Sequence, residues 1–263
     1  MSTDHDWEEF GRTDPYHGVL TAERFRRKNM DDAARQEFFD SGREHVAKVV
    51  DVVRTRLDAG FSPRRVLDFG CGVGRLVIPF TELGSEVVGV DVSESMLSEA
   101  RQNCSAQGIG NATFVLSDDD LSRVDGKFDF IHSYIVFQHI PRDRGTMIFR
   151  KLLERLTDGG VGCLHVTYDT TDVRGGIPDA PVQRDRSWKA VLGPMRAPLA
   201  RLKQKLFSRP AAPAGPIMEM NAYSLREVFA AVQGIGVASQ FVEFTNHAGE
   251  LGVILYFQKP VSA

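Results

Sequence analysis

The sequence is short of cysteine, of long apolar runs and of net positive charge. Its three cysteines, Cys71, Cys104 and Cys163, share no metal-ligand spacing, and an odd count is no disulfide framework. No stretch approaches the roughly 18 apolar residues of a membrane span. The opening "MSTDHDWEEF" is acidic and lacks the apolar core of a secretory signal, so a cytoplasmic location and no membrane partner are expected. A formal charge of -3 disfavours nucleic acid as the main partner, although a local basic patch stays open.

What is present suits a folded globular chain. At 263 residues there is enough length for one enlarged domain, or one domain and a small cap. Residues 1–34 are polar with scattered rings and are read as an N-terminal helical arm or cap. From Ala33 to Leu57 the apolar residues Phe39, Val46, Val49, Val50, Val53 and Leu57 recur at helical steps. Five short apolar runs then alternate with helical patterns: "RVLDF", "EVVGVD", "ATFVLS", "FDFIHSYIVF" and "VGCLHVTY". Ser93 is placed to cap the helix after the second run. A helix from Asp143 to Leu156 is expected to stop at "DGG".

Alternation at this spacing predicts parallel crossovers in an α/β doubly wound sheet. After Tyr168 the pattern breaks. The segment 169–216 reads as an insertion or lid, with eight Lys and Arg against Asp185 alone between 184 and 209. Beyond it, "SLREVFAAV" reads as a helix, and "ASQFVEFTN" and "GVILYFQKP" read as strands joined across "HAGE". The expected fold is Rossmann-like: a seven-stranded, mostly parallel sheet with a C-terminal antiparallel hairpin. The core occupies 35–168 and is completed by 217–263.

The first run breaks into glycines in "RVLDFGCGVGRL", Arg65 to Leu76. A nucleotide phosphate, another adenosyl ligand and a plain turn are all readings of such a loop. The dinucleotide spacing G-x-G-x-x-G is not met, because Arg75 stands where the third glycine belongs. No Gly-Lys-Ser/Thr follows, so the loop is no P-loop. Asp68, just before Gly70, would repel a pyrophosphate and suits a ligand carrying an amine. Asp91 ends the second run, where an acid can accept both hydroxyls of a ribose. A nucleoside joined to a cation fits both acids, and S-adenosylmethionine (SAM) is such a molecule.

"VLDFGCGVGRL", "VVGVDVSESML", "FVLSDDDL", "FDFIHSYIVFQHI" and "LLERLTDGG" together resemble the ordered motifs of the class I SAM-dependent methyltransferases. Outside this core the likeness is to bacterial enzymes that modify small molecules or sugars. The resemblance implies SAM as cofactor. By position, it places Asp68, Gly70, Cys71 and Gly72 at the methionine end. Asp91 falls on the ribose, Val92 and Met96 beside the adenine, Asp118 or Asp119 on the adenine amino group, and Ser133 and Tyr134 near the sulfonium. Three consecutive acids at 118–120 blur the register there.

Methyl transfer from a sulfonium is an in-line displacement that gains rate by alignment. A base is needed when the acceptor arrives protonated, and His139 in "YIVFQHI" is the candidate. His132 and His165 read as structural. Tyr16 and His17 of the arm, Met220, Asn221 and Tyr223 after the insertion, and His247 in the hairpin are the candidate substrate contacts. The expected activity is methylation of an O or N atom of a small molecule such as a sugar or natural product. The alternatives are a catalytically inactive binding or scaffold protein on this fold, or an RNA methyltransferase. "HSYIVF" stands where adenine and glutamine amide N-methyltransferases carry Asn/Asp-Pro-Pro-Tyr, which weighs against a nucleic-acid substrate. No metal is expected, and a homodimer is a candidate assembly.

Overall fold

The computed structural model describes residues 3–171, 215–237 and 239–261. The insertion expected over 169–216 lies outside them except at its edges.

Helices α1 (Thr3–Thr13) and α2 (Pro15–Val19) form the arm, followed by two single 3-10 turns and the long α3 (Asp32–Arg56). Strand β1 (Arg65–Phe69), α4 (Val77–Glu82), β2 (Glu86–Asp91), α5 (Glu94–Ala106) and β3 (Ala112–Leu116) make the first half of the sheet. The second half comprises β4 (Phe128–Ser133), α6 (Arg142–Glu154), β5 (Leu156–Thr170), α7 (Leu225–Gly234), β6 (Gln240–His247) and β7 (Glu250–Gln258).

The strand order is β3-β2-β1-β4-β5-β7-β6. The first five strands are parallel, and β7 runs antiparallel to both β5 and β6. This is the Rossmann-like sheet that the alternation predicts. The order reverses between β1 and β4, so their carboxyl ends open a crevice there.

Side-chain alternation divides the core into two layers. Val66, Phe130 and Val161 pack with Val46, Val49 and Val53 of α3. Leu67, Ile131 and Leu164 face the other way, toward Ile148 and Leu152 of α6 and Val232 of α7. The expected cap forms, Ser93 accepting from the Met96 amide at 3.1 Å, and Asp31 caps α3 by accepting from the Ala34 amide at 2.8 Å. Each cap contributes about 1 kcal/mol. Pro79 falls in the first turn of α4, where its missing N–H breaks no helical bond.

One boundary differs from expectation. "DGG" does not follow a loop; it lies inside β5, which begins at Leu156. The register between β4 and β5 shifts at Phe128/Phe130, and Gly159 sits at a φ of 74°. The glycines therefore bend a strand, and the helix before it has already ended at Glu154.

The hairpin turn is the expected "HAGE". Its central residues, Ala248 and Gly249, both have positive φ, the geometry of a type I′ turn.

Candidate functional site

A cavity of about 460 Å³ opens at the reversal of strand order. Its floor is the end of β1 and the glycine turn, Asp68 to Gly72, with Arg75 and Leu76 beyond. Asp91, Val92 and Met96 continue the wall at the end of β2, and Ser117 and Asp119 follow β3. Tyr134, Ile135, Val136, Gln138 and His139 come from the loop after β4. Thr3, Asp4, Trp7 and residues 18–21 of the arm, Met218 and Met220, and His247, Ala248 and Glu250 complete the lining.

The glycine turn answers its own question in an unexpected way. Gly70 has a φ of 75°, and a Cβ there would meet Val136 Cγ2 at 2.3 Å. Gly72 has a φ of 53°, and its Cβ would meet Val19 Cγ2 at 2.7 Å. Both glycines thus admit side chains of the protein's own cavity wall, one from the loop after β4 and one from the arm. Their amides are engaged as well. Gly70 and Cys71 donate to the Val90 carbonyl at 2.7 and 3.0 Å, and Gly72 donates to Asp91 Oδ2 at 2.9 Å. A phosphate cradle needs such amides free, and these three are not.

Asp91 accepts a second bond from the Ser93 amide, at Oδ1 and 3.0 Å. Burial nevertheless raises its pKa to about 6, against the pull of these N–H groups. Each oxygen retains a lone pair for a hydroxyl donor. Burial also lifts the Cys71 thiol well above its usual range, which leaves it a small filler beside Gly89.

Asp68 is almost wholly buried, and Oδ1 lies 2.8 Å from His132 Nδ1. Its Oδ2 is buried without a partner. Arg75 is a second buried charge in the same wall. One Nη donates to Ser41 Oγ at 3.3 Å, whereas Nε has no partner. Burial lowers its pKa, opposed by the charge of Asp68.

Of the three acids after β3, Asp119 lines the cavity. It pairs with Arg144 Nε at 2.6 Å, and Arg144 also grips Asp4 of the arm at 2.5 and 2.9 Å. Asp118 turns away and accepts from the Ser122 amide at 2.8 Å, while Asp120 is exposed.

His139 lies under Trp7, with ring centroids 5.0 Å apart. Its Nδ1 is 2.9 Å from the Glu219 carbonyl, so the bond assigns the proton to Nδ1 and the lone pair to Nε2. Gln138 Nε2 approaches that Nε2 to 3.3 Å. Burial lowers the His139 pKa, so the ring is neutral at neutral pH. Ile135, between Tyr134 and Val136, has a φ of 58°. For a β-branched residue this left-handed backbone costs about 1–3 kcal/mol.

The remaining expected contacts divide. Met220 and His247 line the cavity. Tyr16, in α2 of the arm, is buried, its hydroxyl 2.7 Å from Glu99, 2.8 Å from Asn103 and 2.5 Å from Arg35. Tyr223 is in the core and donates to the Ile140 carbonyl at 2.8 Å. Asn221 donates its amide to the Gln138 carbonyl at 2.6 Å. His17 and Ser133 are not among the lining residues. Thr3, Asp4, Trp7, Arg75 and Arg144 are lining residues that the sequence reading did not pick out. Arg75 had a signal: it is the cation that displaces the third glycine of the fingerprint. Among the described residues no helix is long and apolar enough to cross a membrane.

Residues 66–160 match a family model described as a methyltransferase domain. The probable SAM-dependent methyltransferase TehB of Haemophilus influenzae is 29% identical over 117 residues, covering 44% of this chain and 41% of TehB. The chain thus spans about two fifths of the length of that curated relative. The magnesium-protoporphyrin O-methyltransferase of a Synechocystis strain is 35% identical over 88 residues, covering 33% of this chain and 38% of that protein. A crystal structure of magnesium protoporphyrin IX methyltransferase from Synechocystis PCC 6803 with bound SAM shares the fold. It shows 18% identity, 98% coverage of each chain and a TM-score of 0.58.

Proposed function

We propose that the chain is a class I SAM-dependent methyltransferase that methylates an oxygen or nitrogen atom of a small molecule, a reading supported by the methyltransferase-domain match over residues 66–160. One observation carries the reading: two buried atoms without a hydrogen-bond partner, Asp68 Oδ2 and Arg75 Nε, belong to oppositely charged side chains in one cavity wall beside the glycine turn. A buried polar atom without a hydrogen-bond partner is costly, and an amino acid zwitterion offers one to each. The α-ammonium belongs on Asp68 and the α-carboxylate on Arg75. Asp91 would accept the ribose hydroxyls, and Asp119 would hold the adenine amino group, with Val92 and Met96 in the same wall. Bound SAM supplies an electrophilic methyl whose leaving group needs no acid.

The chain's own residues orient the acceptor and receive its proton. His139 Nε2 is the acceptor atom, held in that tautomer by the Glu219 carbonyl and kept neutral by burial. Met220, Trp7 and His247 form the acceptor's surroundings, and the apolar share of this wall excludes water from the displacement. Calorimetry with SAM, followed by tritiated methyl transfer to a fractionated extract of small metabolites, tests the reading. Binding in the micromolar range and label in a low-mass fraction are expected. A folded protein that does not bind SAM overturns it.

A further inference from the structure

His132 occupies an unusual place. It stands in the central strand β4, fully buried, where a parallel sheet ordinarily carries Val, Ile or Leu. Strand register puts it directly opposite Asp68 on β1. Phe80 and Phe130 pack around the ring, with centroids 5.3 and 6.2 Å away. Both of its nitrogens are engaged, Nδ1 with Asp68 Oδ1 at 2.8 Å and Nε2 with His45 Nε2 at 3.0 Å.

The proton inventory fixes the direction of this chain. An ionised Asp68 only accepts, so His132 donates through Nδ1. With one proton on the His132 ring, Nε2 accepts and His45 of α3 is the donor. Burial and the neighbouring His132 hold the His45 pKa far below its ordinary value, so that ring stays neutral and carries a single proton for the bond. The His45–His132 pair ties down one oxygen of Asp68 and leaves the other unpartnered in a residue that lines the cavity.

We propose that His132, braced by His45, is a positioning residue that holds Asp68 with one oxygen turned to the cavity as the seat of the cofactor's α-ammonium group. The inference rests on the methyltransferase reading above and goes beyond it by assigning a part to two residues of the core. Without the Nδ1 donor, Asp68 is free to rotate within the wall or to take up a proton, and either change weakens an ammonium site.

Two ligands separate positioning from mere core packing. SAM carries the ammonium; 5′-methylthioadenosine has the same nucleoside and no amino acid end. His132→Leu should weaken SAM roughly 10- to 100-fold, the range for a lost bond to a charged group, and leave methylthioadenosine within about threefold. His132→Asn returns a donor near the Nδ1 position and should recover most of the SAM affinity. His45→Phe tests the brace should the leucine variant fail to fold, with the same ligand selectivity and a smaller loss, about threefold to tenfold. Calorimetry of each variant, with its melting temperature, reads these outcomes. Unchanged SAM affinity, or parallel losses for both ligands, overturns the positioning role while the methyltransferase reading stands. Wild-type protein that binds neither ligand overturns both.

Discussion

The two walls of the cavity are built differently. The wall proposed for the cofactor comes from the ends of β1, β2 and β3, consecutive crossovers whose polar residues sit at strand ends or in the turns directly after them. The wall proposed for the acceptor is assembled from four separate pieces: the arm, the loop after β4, residues 218–220 and the hairpin turn. In the first, backbone geometry alone brings the acids together. In the second, the pieces meet through tertiary packing across as many as 136 positions, as with Thr3 and His139. A sheet edge can thus fix what the cofactor is while the acceptor varies from chain to chain.

That contrast can be broken by mutation. Asp91→Ala should have the largest effect, weakening SAM about 10³-fold by removing the acceptor of two hydroxyls and freeing two amides of the turn. Calorimetry checks it, and a loss below tenfold would take the ribose away from Asp91. His139→Ala should do the opposite to the two walls. Turnover falls about 10²-fold while SAM affinity holds, as expected for loss of a general base. Steady-state rates at saturating SAM decide this, and an unchanged rate removes His139 from that part.

Acid should act on the cofactor wall alone. Asp91 has a pKa raised to about 6, and hydroxyl donors favour its ionised form. Below pH 6 the free protein holds a proton there that binding must expel. SAM affinity should therefore be flat above pH 6 and fall about tenfold per unit below it. A titration that stays flat to pH 4.5 contradicts the assignment. The smallest effect belongs to neither wall: Tyr16→Phe breaks the network with Glu99, Asn103 and Arg35. It should cost about 1–2 kcal/mol of stability in a denaturant melt and leave SAM affinity unchanged.

The same contrast explains what the sequence discloses. Strand β1 and its glycines, Asp91 with the Ser93 cap, and the hairpin are local features, read from periodicity and turn chemistry. Tyr16 and Tyr223 were expected at the substrate because of where they fall in the chain, yet both hydroxyls are held within the fold. Trp7, Asp4 and Arg144 went unread because only packing of the arm brings them to the cavity. Asp118 and Asp119 are adjacent in sequence, and the turn after β3 alone decides which faces inward. "DGG" looked like a stop because glycine pairs end helices, whereas here the pairing of β4 with β5 recruits them into a bulge.

Ile135 carries the last lesson. Its left-handed backbone is a conformation that glycine or asparagine adopts at little cost and isoleucine resists. Selection for heat tolerance alone should drive this position toward glycine, and selection for turnover should retain the branched side chain in the wall beside Tyr134. The residue marks a point of conflict between the two pressures, and laboratory evolution under either one would record at position 135 which of them prevailed.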